Sequence, residues 1–90
     1  MADPATPGRI RERLQALDPL ALDLVDESAL HAGHEGAKSG GGHYRLRLVS
    51  GQFNGLAKIA RHRLVYAALA DLMKRDIHAL SLTLLSPDEN

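Results

Sequence analysis

The alternation of apolar and polar positions divides the chain into five regular segments. Ile10, Leu14 and Leu17 recur at i, i+4 and i+7, which is one face of a helix. Arg9, Arg11, Glu12 and Arg13 fill the other side. Thr6 is expected as the N-cap with Pro7 at the first helical position. Asp18-Pro19 ends the segment, because proline disfavours helix in the residue before it. Residues 21–27 predict a first strand, with Leu22 and Leu24 alternating against Asp23 and Val25. Residues 43–50 predict a second: Tyr44, Leu46 and Leu48 face one way and Arg45 and Arg47 the other, giving one wet face. Residues 58–74 predict a helix whose apolar stripe is Val65, Ala68, Leu69, Leu72 and Met73. Ile77–Leu85 predicts a third strand, in which Leu80, Leu82 and Leu84 share a face and His78 has the same parity at its start. Ser86-Pro87 ends it.

Between the first two strands, Gly33, Gly36, Gly40, Gly41 and Gly42 place five of the eight glycines within ten residues. No core can form there, so a mobile loop is expected over residues 31–42. Residues 51–55 read as a turn. The order helix, strand, strand, helix, strand predicts an α+β sandwich: one three-stranded sheet with helices on one face, its first two strands antiparallel. A single domain spans residues 1–90, with 1–5 and 87–90 as flexible ends.

Ninety residues suffice for one small domain with a modest core. At 44% hydrophobic and 24% charged, the composition is globular. Eleven basic residues balance eleven acidic ones, so no net charge draws the chain to nucleic acid or membrane. The balance conceals a division: residues 1–37 carry net −4, residues 38–78 net +6 and residues 79–90 net −2. Such a division most simply reflects solvated faces. Only three aromatics are present, too few for a base-stacking surface. Cysteine is absent, which excludes disulfides, nucleophilic thiols and any cluster held by this chain's own thiolates. No apolar run approaches the ~18 residues of a membrane span. The first residues lack the order of a signal peptide, so a soluble cytoplasmic protein is expected.

Five histidines are the unusual chemical feature. His31 and His34 sit in the glycine loop, His43 opens the second strand, His62 lies in the second helix and His78 opens the third strand. A single histidine is most simply a surface residue or a hydrogen-bonded core one. In combination they suggest more. His78 is fixed by its strand, while His31 and His34 ride a loop able to swing toward it, and imidazole is the commonest metal ligand. That makes half a site, since a zinc ion or a two-iron cluster needs further donors.

Lys58, Arg61, His62 and Arg63 give the second helix a basic start. They are solvated, paired with the acidic amino-terminal half, or turned toward phosphates or an acidic partner. Basic residues at a helix start oppose the dipole, so a compensating interaction is expected. Asp26 and Glu27 are neighbours on a strand and point to opposite faces. No phosphate-binding loop and no nucleophile–base pair stands out, so an enzyme is not expected.

Several ordered motifs carry a family resemblance: Val25-Asp26-Glu27-Ser28 followed by Leu30-His31-Ala32, His43-Tyr44-Arg45-Leu46, Phe53-Asn54-Gly55, Arg61-His62-Arg63-Leu64-Val65-Tyr66 and Ile77-His78-Ala79-Leu80. With these the sequence resembles the BolA family over nearly its whole length. The resemblance implies a class II KH-like fold and a monothiol glutaredoxin as heterodimer partner. It implies a shared [2Fe–2S] cluster, with one cysteine from the glutaredoxin, a second sulfur from glutathione and the remaining ligands from this chain; alone, the chain holds none. His78 matches the family's strand ligand. His31 matches the loop ligand best, His34 is the local rival and His43 a more distant one. The loop is richer in glycine than the family pattern, the second strand opens Gly-His-Tyr rather than Ser-His-Phe, and a carboxy-terminal helix is short or missing.

The implied function is iron–sulfur cluster trafficking or iron homeostasis. Two neutral imidazoles on one iron would raise the reduction potential, and acid would release the cluster. The resemblance also offers a second class: a DNA-binding transcriptional regulator of stress response and cell morphology, presenting Lys58, Arg61, His62 and Arg63 to phosphates. A third possibility is an interaction domain whose histidines bind no metal.

Overall fold

Strands β1 (Pro19–Asp26), β2 (Gly42–Ser50) and β3 (Ile77–Leu85) form one sheet in the order β1-β2-β3. The computed structural model describes residues 3–28 and 41–90. β1 pairs antiparallel with β2, as expected, and β2 pairs parallel with β3. A parallel pair needs a crossover connection. Here it contains a 3-10 turn, Gly51–Phe53, and two helices, α2 (Lys58–Ala68) and α3 (Ala70–Met73). Helix α1 (Thr6–Leu14) precedes the sheet.

The period-2 pattern is kept across all three strands. Leu24 lies opposite Leu46, and Leu46 opposite Leu82. Leu22, Leu24, Tyr44, Leu46, Leu48, Leu80, Leu82 and Leu84 pack in one core with Ile10, Leu14 and Leu17 from α1 and the turn after it and with Val65, Leu69 and Leu72 from the crossover. The helices therefore cover one face. On the opposite face, Asp23 stands across from Arg47, and Val25 across from Arg45. Each fully buried leucine contributes about 1.5–3 kcal/mol. An exposed ion pair such as Arg13 to Asp71, at 3.0 Å, is worth about 0–1 kcal/mol. Burial thus holds α1 and α3 to the sheet, and the ion pair only trims their approach.

Four details depart from the pattern reading. Thr6 is the first helical residue rather than the cap; it is buried, and Ala5 occupies the cap position without a side-chain bond. Asp3 does the capping work, accepting the Ala5 N–H on its carboxylate at 2.9 Å and the Thr6 N–H on its carbonyl at 3.0 Å. The helix expected over 58–74 breaks at Leu69, whose backbone (φ −102, ψ 10) leaves the helical range. Neither glycine nor proline marks that break. Phe53, read as part of a turn, is fully buried and plugs the core.

The fourth departure is the chain beyond β3, expected as a flexible end. Pro87–Glu89 forms a 3-10 turn closed by a capping box between Ser86 and Glu89. At the other expected loose segment, residues 41–42 of the 31–42 loop are buried, and Gly42 starts β2. A Cβ on Gly42 would enter the Tyr44 ring. A Cβ on Gly41 would meet the His78 Cβ at 2.8 Å and the His78 nitrogen at 3.1 Å. These two glycines permit close packing and are not loop filler.

Candidate functional site

Strand parity alone would send His78 into the core with Leu80. The pairing of β2 with β3 prevents it. Gly42 faces Ile77, yet the next residue, His43, faces Ala79. One step on β2 thus matches two on β3, and His78 is the extra residue of a bulge. A bulge re-aims the side chain it carries. Ile77 takes the buried position at 3% exposure, and His78 turns out to solvent.

There it meets His43. The two ring centres are 5.1 Å apart, with their planes inclined at 42°. His43 lies on the opposite parity to Tyr44 and so off the core face, and it is only 9% exposed. Its backbone is held by the preceding strand: the Ser28 hydroxyl accepts the His43 N–H at 3.1 Å, and the His43 carbonyl accepts the Glu27 N–H at 2.8 Å. Asp26 in turn accepts the Ser28 N–H at 2.9 Å, and Glu27 pairs with Arg45 at 3.1 Å. The segment 26–28, which offered no catalytic pair in sequence, is a bracket for His43.

The pair fits the chemistry of an imidazole donor set. Two imidazoles bound to one tetrahedral ion at about 2.0–2.1 Å have ring centres about 5 Å apart. Among the described residues no group of three His, Cys, Asp or Glu side chains gathers to hold a metal ion. The pair brings two imidazole rings together, which is fewer donors than a zinc ion or a two-iron cluster needs. His31 and His34, the expected loop ligands, lie outside the described residues.

The basic residues of α2 do not act as one patch. Lys58 and Arg63 are exposed and His62 half-buried. Arg61 is 7% exposed and turned inward. Its Nε donates to the Leu56 carbonyl at 2.9 Å, and its Nη1 to the Leu84 carbonyl at 3.0 Å and to Glu89. The guanidinium also lies 5.9 Å from the centre of the Phe53 ring. This is the compensation expected for a cation at a helix start, and it removes Arg61 from the outward face proposed for phosphates. The Arg61 guanidinium, with the Ser86 N–H and hydroxyl, lowers the Glu89 carboxyl from its ordinary 4.5 to about 2. A cleft of about 180 Å³ runs between α2 and β3, lined by Lys58, Arg61, His62, Leu82 and Leu84 among others.

The sequence profile of a family described as BolA-like protein matches residues 14–89. The chain belongs to the BolA-like family. It is 42% identical over 87 residues to SufE-like protein 1, chloroplastic/mitochondrial, of Arabidopsis thaliana, covering 90% of this chain and 24% of that protein. It is 40% identical over 75 residues to the DNA-binding transcriptional regulator BolA of Escherichia coli (strain K12), covering 82% and 69%. The solved BolA domain of SufE1 from Arabidopsis thaliana superposes with a TM-score of 0.85 at 42% identity, covering 99% of this chain and 100% of that domain. The chain spans only 24% to 56% of the length of several curated relatives it matches, BolA-like protein 1 among them. The α+β sheet-and-helix architecture of this BolA-like chain is therefore that of its structural neighbours. Among the described residues no helix is long and apolar enough to cross a membrane.

Proposed function

We propose that this BolA-like chain is a non-enzymatic adaptor. It binds a monothiol glutaredoxin and shares a [2Fe–2S] cluster with it, in cluster trafficking or iron homeostasis. The observation that carries the reading is the exposed His78 ring, aimed outward by a bulge and set 5.1 Å from His43. The chain has no cysteine. Its contribution to such a centre is imidazole, and the sulfur ligands fall to the glutaredoxin cysteine and to glutathione. His78 would hold the cluster together with a second ring, from His31 or His34 of the glycine-rich loop or from His43. When bound, the cluster is a cargo that this chain's imidazoles grip through neutral nitrogen and release on protonation. We place the adaptor in the cytoplasm; the Arabidopsis relative carries an organellar name, and fractionation of the native protein decides between the two.

The test is reconstitution of the chain with a monothiol glutaredoxin, glutathione, iron and sulfide. The expected result is a visible absorption and circular-dichroism spectrum that differs from that of the glutaredoxin alone and reverts to it with His78→Ala. A spectrum indifferent to this chain would reject the reading.

The second reading, a DNA-binding regulator, is favoured by the cleft beside Lys58 and His62 and by the similarity to the DNA-binding transcriptional regulator BolA of Escherichia coli. With Lys58 and Arg63 as the outward cations, the salt dependence of duplex binding should have a log–log slope of about −2, falling by about one with Lys58→Ala. Binding that is indifferent to salt would reject it.

A further inference from the structure

We propose that the free edge of β3, with the cleft beside it, docks an extended acidic segment of a partner protein, which adds to the sheet as a fourth strand. The shared cluster is not involved, since its strand ligand, His78, lies outside the cleft. The DNA reading claims the same cleft.

The ladder identifies which backbone groups are free. The His43 carbonyl accepts the Glu27 N–H, so His43 turns its backbone toward β1. That direction alternates along a strand, so Tyr44, Leu46 and Leu48 turn theirs toward β3. Leu46 stands opposite Leu82 and, in a parallel pair, bonds to the residues on either side of it, Ser81 and Thr83. Leu80, Leu82 and Leu84 therefore turn their N–H and C=O groups away from the sheet. The Leu84 carbonyl agrees, because it accepts from the Arg61 guanidinium at 3.0 Å. Arg61 closes that end, and the edge at Leu80 and Leu82 stays open. β3 is outermost in the sheet order, and among the described residues no strand lies beyond it. An unpaired edge is a template for a further strand.

The flank of the edge selects the occupant. The cleft of about 180 Å³ is lined by Lys58, Arg61 and His62 on α2 and by residues 82–85 on β3, with no carboxylate among them. Side chains alternate along an added strand, so every second one faces α2. Lys58 and His62, one helical turn apart, favour an acidic side chain there. Glu89 of this chain already lays a carboxylate on Arg61. A second copy of β3 is a poorer occupant, because residues 77–85 carry no carboxylate. A phosphate backbone is poorer too. It brings acceptors and no donors for the Leu80 and Leu82 carbonyls, and Arg61 is already spent within the fold. A polypeptide brings both kinds of group at every residue.

The experiment is an anisotropy titration of the purified chain with a short labelled peptide in which glutamate alternates with threonine. Its lysine-for-glutamate counterpart and a DNA duplex run beside it. The glutamate peptide should bind about tenfold or more tightly than the lysine peptide, and Lys58→Glu, at an exposed position, should weaken it about tenfold. Amide exchange reads the backbone. With the peptide at about ten times its Kd, the Leu80 and Leu82 N–H groups should exchange about tenfold more slowly. Leu22 and Leu24, which by the same alternation turn outward at the β1 edge, should not change. The peptide N-methylated at one alternate set of residues should lose binding, and N-methylated at the other set should keep it, because only one set faces the edge. Unchanged exchange at Leu80 and Leu82, or equal behaviour of the two methylated peptides, would overturn the strand pairing. Binding of the duplex and not of the peptide would give the cleft to nucleic acid and overturn the proposal as well. None of these outcomes touches the cluster reading, which the His78→Ala spectrum decides.

Discussion

At the start of β3 an imidazole stands in solvent on a bulge, beside a second ring. At the end of the same strand a guanidinium is buried beneath the final turn and surrounded by acceptors. The two ends treat polar chemistry in opposite ways. Arg61 has two carbonyls and a carboxylate, so its charge is matched within the fold and offers nothing outward. His78 faces its neighbour ring and open solvent, so its chemistry is available. A charged residue in a family motif is therefore not by itself a binding residue. What it bonds to decides.

The contrast can be broken most strongly at the closed end. Arg61→Leu takes the guanidinium from the Leu56 and Leu84 carbonyls and the cation from Glu89, and should cost about 2–3 kcal/mol, read as a lower urea midpoint. A loss under about 0.5 kcal/mol would mean that the clasp is ornamental. At the open end the sensitive position is the glycine that packs against the bulge. Gly41→Ala forces a Cβ onto His78 and should cost about 1–3 kcal/mol. It should also abolish the proton–proton contact between the His43 and His78 rings in NMR, and survival of that contact would show that the bulge has another cause.

A pH experiment sharpens the closed end. Glu89 is lowered from 4.5 to about 2 in the fold, so its contribution is fully present above pH 4.5 and disappears as pH falls through about 2. Stability curves of the parent and Glu89→Gln should stay apart at neutral pH and converge across that window. A gap that persists unchanged to pH 2 would place the stabilisation elsewhere. The smallest expected effect is His78→Ala, within about 0.5 kcal/mol by the same urea assay, because the ring is exposed and the bulge is backbone-made.

Most of the architecture was legible because period-2 and period-3.6 patterns report directly on burial, as with Leu22, Leu46 and Leu82. The site was legible in its residues and not in its geometry. Parity counting assumes unbroken pairing, so His78 was expected on the Leu80 side; the bulge lies in the register between two strands, which no local pattern encodes. The approach of His43 was hidden for the same reason. Arg61 was grouped with Lys58, His62 and Arg63 as one basic helix start, although one signal set it apart: it lies four residues before Val65 and eight before Leu69, on the stripe that is buried. Phe53 was missed because a turn of glycine and asparagine gives no periodicity to read.

Since the backbone alone sets the outward aim at position 78, the donor there is exchangeable. Thiolate, carboxylate or thioether could be installed in place of imidazole while the surrounding sheet holds still, so differences between such variants would report donor chemistry rather than refolding. The bulge makes this small scaffold a test bench for ligand substitution, with one socket and a constant frame.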